Sequence, residues 1–186
     1  MKKLLSALAC VMMVAYANAQ GTVNFGNSAA NTVKFSNGTA VPIAQFSVGL
    51  LYWASDPGAV NFDTGSLSLA NLIKTSSNFI LPGRFIGGTA TTPNTTAGGT
   101  PAWFAVIAWQ SSYASYDACY NAGGQVGWTL TAFQNPTGDP NKMPTPDTPA
   151  TLSGFVGINN VHPVPEPTTM ALGLLGVAAL LLRRRK

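Results

Sequence analysis

WFAVIAW, residues 103–109, carries no polar side chain on either side of an extended strand. Side chains alternate across a strand, so Trp103, Ala105, Ile107 and Trp109 face one way and Phe104, Val106 and Ala108 the other. A run that is apolar on both faces predicts a central strand covered on both sides. QFSVGLLYW, residues 45–53, behaves similarly at its end. Phe46, Val48, Leu50 and Tyr52 oppose Gln45, Ser47 and Gly49, and Leu51 and Trp53 then make the second face apolar as well.

Outward from these two runs the chain reads as short strands and turns. Asn37-Gly38 lies between two short β-forming runs, which predicts a tight hairpin. Pro42 makes the second run an edge strand or ends it early, because proline has no N–H to donate. Residues 55–65, SDPGAVNFDTG, form a turn-rich loop; residues 66–74, SLSLANLIK, admit either a strand or a short helix. NFILPGRFIG, residues 78–87, predicts a short strand broken at Pro82-Gly83, and the polar stretch 87–100 an exposed loop. Residues 111–124 hold room for one short helix ended by Gly123-Gly124. QVGWTLTAFQ, residues 125–134, alternates as a full strand, and ATLSGFVGI, residues 150–158, reads as the last one. Many short strands with little helix predict an all-β body, a β-sandwich or jelly roll spanning 20–158, followed by a linker at 159–163.

Composition narrows the function. Charged residues are only 9% of the 186, and 46% are hydrophobic, enough to build a core. The net charge of +4 resides at the ends, in Lys2, Lys3, Arg183, Arg184, Arg185 and Lys186. Between them Lys34, Lys74, Arg84 and Lys142 face Asp56, Asp63, Asp117, Asp139 and Asp147, so the body is near neutral. It offers no basic stripe for phosphates, which argues against a nucleic-acid partner.

The first residues combine Lys2 and Lys3, an apolar stretch from Leu4 to Tyr16, and small residues at Ala17 and Ala19. That three-part pattern predicts a signal peptide over 1–19, cut by signal peptidase before Gln20. A buried N-terminal helix is the alternative. Cys10 sits inside the apolar stretch behind a poor lipobox and leaves with the signal. The remaining Cys119 then has no internal disulfide partner and is expected to be a buried structural thiol.

At the other end, residues 168–182 are uncharged. As a helix they would reach about 22 Å, short of the roughly 30 Å hydrocarbon core, a mismatch that bilayer thinning and snorkelling arginines absorb. Arg183, Arg184, Arg185 and Lys186 would then stay cytoplasmic and orient the body outward across the inner membrane. Immediately before this short transmembrane helix stands Pro165-Glu166-Pro167. Two prolines hold such a segment extended, as a protease requires of its substrate.

Val164-Pro165-Glu166-Pro167, an apolar helix and a terminal arginine cluster together resemble the PEP-CTERM sorting signal, over residues 164–186. The resemblance implies that the exosortase, an integral-membrane processing enzyme, is a partner. It also implies transient anchoring, cleavage or transfer near the Pro-Glu-Pro, and delivery to the cell surface or an extracellular matrix containing exopolysaccharide. The LPxTG-type alternative finds no motif, since Leu81-Pro82-Gly83 lies far upstream.

Catalysis finds little support. The single histidine, His162, falls in the expected linker, away from any serine or cysteine it would have to activate. No spaced ligand set predicts a metal site, and no cofactor is expected. Asp56 and Asp63 share a loop but lack EF-hand spacing, and five dispersed aspartates single out no glycosidase pair. The tryptophans lie on apolar strands and read as core. Tyr113, Tyr116 and Tyr120 stand in a polar segment and are the candidates for a sugar-stacking surface. The expected protein is therefore a non-enzymatic, exported structural or adhesive module, with a lectin-like matrix protein as second reading and an unrecognised hydrolase as third.

Overall fold

A computed structural model describes residues 20–67, 69–93 and 96–165. Its centre is an antiparallel pair, β3 (Phe46–Trp53) and β7 (Ala102–Gln110), in register from Phe46 opposite Gln110 to Trp53 opposite Trp103. These are the two runs that are apolar on both faces, and each face has its own core. Phe46, Val48, Leu50 and Tyr52 of β3 join Phe104, Val106 and Ala108 of β7 in one cluster. Leu51 joins Ala105, Ile107 and Trp109 in the other.

The larger sheet runs β2 (Val33–Phe35), β11 (Ile158–Pro163), β8 (Gln125–Trp128), β7, β3 and β4 (Leu72–Ser76), with β9 (Phe133–Asn135) also paired to β7. The smaller sheet runs β10 (Ala150–Thr151), β1 (Thr22–Gly26), β6 (Arg84–Thr91) and β5 (Phe79–Leu81). Most pairs are antiparallel, but β1 with β10 and β2 with β11 are parallel, so both sheets are mixed. The first cluster unites Val23 and Phe25 of β1 and Phe85 and Ala90 of β6 with the larger sheet's apolar face. On that sheet's opposite face the second cluster is closed by Phe62, Leu67, Val164 and the helix α1 (Tyr116–Asn121). Among the described residues helix is limited to α1 and a 3-10 turn at Leu69–Asn71. The chain is all-β.

Local chemistry explains several elements. Gly38 takes φ 85° in the expected turn, and the Thr39 N–H donates to Asn37 Oδ1, although the ladder extends only to Lys34 opposite Ala40. Pro82-Gly83 does not merely interrupt a strand: it turns β5 into β6, with Gly83 at φ 68° and its space closed by the Val33 carbonyl. Ser115 caps α1 by accepting from the Ala118 N–H, and Gly123 at φ 71° follows its end.

Four expectations are corrected. Residues 159–163 are not a linker; they belong to β11, wedged between β2 and β8. Its ladder to β2 slips between Ile158 and Val161, leaving Ile158, Val161 and Val164 buried three residues apart. That bulge hides the period of two by which a strand is read. Residues 125–134 are not one regular strand: β8 and β9 pair with the same strand β7, at 107–109 and 102–104, and are separated by residues 129–132, where Leu130 is 82% exposed. Part of the polar stretch 87–100 is not loop but the end of β6, paired with β1, and Thr92 and Thr96 are buried. Residues 150–158 yield only the short β10, after which Leu152 and Phe155 insert into the core.

Candidate functional site: the junction of body and tail

Strand β11 carries the body into the tail. His162 pairs with Val126 and Pro163 with Gln125, and the Val164 N–H then donates to the Gly124 carbonyl at 3.0 Å. The Val164 side chain, 8% exposed, enters the second core cluster with Val126, Cys119 and Tyr116. Pro165 is exposed. A packed side chain, Val164, therefore stands one residue before the start of Pro165-Glu166-Pro167. Of that motif only Pro165 is among the described residues; Glu166, Pro167, the apolar segment and Arg183, Arg184, Arg185 and Lys186 lie outside them.

Ala17 and Ala19 lie outside the described residues, Gln20 is half-buried, and Gly21 is already inside. The Gly21 N–H donates to Thr92 Oγ1 at 2.8 Å, and a Cβ at Gly21 would lie 2.3 Å from Thr137 Oγ1. The Thr22 N–H then bonds the Gly138 carbonyl. Both candidate processing points thus fall just beyond residues that the fold uses.

Residues 163–186 match, among known protein families, the PEP-CTERM protein-sorting motif. The chain carries a PEP-CTERM sorting tail. The tail implies processing by exosortase and export toward the cell surface. Its matched region begins at Pro163, so the first residues of the PEP-CTERM motif are also the last residues of the folded body. No curated protein and no solved structure matches the chain. Among the described residues no helix is long and apolar enough to cross a membrane, and the expected transmembrane segment lies outside them.

The tyrosine surface is corrected. Residues four apart share a helix face, and α1 buries Tyr116 against the body while Tyr120 beside it stays half-buried. Tyr116 is 1% exposed and its hydroxyl donates to the Phe62 carbonyl at 2.7 Å. Burial, and then the nearby Asp63 carboxylate, push its phenol well above the ordinary tyrosine range. Tyr120 stacks on Tyr116 at 6.4 Å and donates to Asp63 Oδ1 at 3.0 Å, while Tyr113 is half-buried and lends its carbonyl to Trp109 Nε1. Serine and aspartate in the surrounding sequence make this segment look solvated; they are the cap and turn residues of a helix whose aromatic face is covered. A sugar ring has no open face on Tyr116.

The remaining candidates are structural in position. Cys119 is a buried free thiol that donates to the Gln125 carbonyl, and desolvation raises its pKa. Trp109 is core, and Trp53, Trp103 and Trp128 are half-buried. His162 sits on β11 rather than in a linker, edge-on to Trp128 at 5.4 Å, with Nδ1 2.5 Å from the Asn160 carbonyl. Asp56 accepts from the Gly58 N–H as a turn former, and Asp63 is held by Tyr120. Among the described residues no three His, Cys, Asp or Glu side chains gather to hold a metal ion.

What sequence reasoning missed is the anchoring role of Val161 and Val164. The signal was present as apolar residues at 158, 161 and 164, a spacing that neither a regular strand nor a helix template matches well.

Proposed function

We propose that this protein is an exported payload, a β-sandwich body that serves as a structural or adhesive module at the cell surface or in the extracellular matrix, without catalysis of its own. The N-terminal segment starts export, the C-terminal helix holds the chain in the inner membrane, and exosortase removes or transfers the tail near Pro165-Glu166-Pro167. The observation that carries the reading is the sorting tail at residues 163–186, which continues directly from the packed strand β11. Gly21 is held by its N–H bond to Thr92 and Val164 packs in the second core cluster, so cuts before Gln20 and after Pro165 would leave every described core side chain in place.

The membrane-orienting role of Arg183, Arg184, Arg185 and Lys186 is tested by replacing all four with glutamate and fractionating the cells. The reading expects the body to be lost from the surface fraction and an unprocessed chain to accumulate. Delivery at the normal level would overturn it.

A further inference from the structure

A cleft of about 490 Å³ opens where β1, β6 and the turn after β10 meet. Its position follows from an irregularity: the β1–β6 ladder slips between Phe25 and Gly26, and such bulges spread and bend a sheet. Ile86, 48% exposed, contributes apolar surface, and the exposed amide of Asn24, the exposed hydroxyls of Ser28 and Thr151, and the guanidinium of Arg84 contribute polar groups. The size suits one or two sugar rings.

Arg84 distinguishes this cleft from a surface hollow. Its Nε is buried with no hydrogen-bond acceptor. The cleft is lined by no acidic residue, and the ion pair found among the described residues joins Lys142 to Asp147 instead. A buried guanidinium donor without an acceptor is uncommon, because desolvating it is costly unless an anion or a carbonyl takes the proton. The body contains four cations in all, so a lone arginine in this recess is not a by-product of a basic surface.

We propose that the cleft beside Arg84 binds a carboxylate-bearing sugar, a uronic acid unit, with the guanidinium taking the carboxylate. A turn of the guanidinium plane presents Nε–H and one Nη–H side by side, the paired geometry that matches two carboxylate oxygens. The hydroxyls of the ring meet Asn24, Ser28 and Thr151, and its apolar face meets Ile86. The site is on the body, far in sequence from the sorting tail, and the proposal does not depend on how the protein is exported.

The test is calorimetric titration of the full-length chain, solubilised in detergent, with digalacturonate, with the neutral disaccharide galactobiose, and with acetate. Saturable binding of digalacturonate is expected, with galactobiose and acetate each weaker by on the order of tenfold or more. Arg84→Gln should reduce digalacturonate affinity by a similar factor, and Arg84→Lys should restore it only in part because an ammonium lacks the paired donors. Asn24→Ala, at an exposed position, should weaken binding several-fold and guards against an Arg84 variant that fails to fold. Absence of digalacturonate binding, equal binding of the neutral sugar, or affinity indifferent to both Arg84→Gln and Asn24→Ala would each overturn the proposal. Acetate binding as tightly as digalacturonate would reduce the site to a bare carboxylate hole and refute the sugar.

Discussion

At the residue scale, Tyr116 shows how a polar atom is kept inside. Its ring fills the space beneath α1, and its hydroxyl spends its proton on the Phe62 carbonyl. Tyr116→Phe keeps the ring but leaves that carbonyl without its donor, and should cost about 1 kcal/mol, read as a lowered midpoint in urea with an unchanged slope. The same burial sets a pH dependence. The folded phenol is held above its ordinary value of 10.0, chiefly by desolvation and then by Asp63, whereas the unfolded chain ionises at that value. Its stabilising contribution is therefore complete below about pH 10 and is lost as the pH climbs toward the raised folded value. Unfolding followed from pH 8 to 11 should show stability falling above pH 10, and Tyr116→Phe should flatten that fall. An alkaline slope identical in the variant would show that Tyr116 does not carry it. Lys142, exposed, and Asp147, half-buried at the surface, shift each other's pKa in the directions of an ion pair, yet Asp147→Asn should leave stability unchanged within error because solvent screens the pair.

At the scale of elements, β11 joins fold to function. It packs so closely on β8 that a Cβ at Gly127 would lie 2.6 Å from Val161 Cγ2 and 3.0 Å from Ile158 Cγ2. Gly127→Val should cost about 1–3 kcal/mol and raise amide exchange in 158–164 before the β3–β7 pair is affected. Protection unchanged in that segment would contradict the anchoring role of β11. This strand also marks the limit of what the sequence discloses. β3 and β7 were legible because unbroken apolar runs on both faces can only be central, and the turn after Asn37 because Asn-Gly favours one geometry. α1 was legible by its closing glycines. β11 was not, because its bulge breaks the alternation, and Pro163 with His162 gives it the look of a tether. The break at 129–132 was hidden for the opposite reason: Leu130 and Ala132 continue an alternation that the chain abandons, and Leu130 emerges into solvent. The tyrosines were misjudged because polarity along the chain says nothing about which face of a six-residue helix is covered. The Arg84 cleft had no linear signal at all, since its walls come from residues 24–31, 84–86 and 151–155.

At the scale of the molecule, the chain carries a nearly neutral β body and a PEP-CTERM sorting tail, and the tail speaks to the route rather than the task. The two borders at which that route would cut adjoin residues the fold uses, since Gly21 and Val164 are both packed and hydrogen-bonded. The central claim is that the protein is trimmed at both of these borders on its way out of the cell. Intact-mass spectrometry of the protein recovered from the cell-surface and culture fractions tests it most directly. The account predicts a chain that begins at Gln20 and has lost the apolar segment and Arg183–Lys186; a surface protein that still runs from Met1 to Lys186 would contradict it.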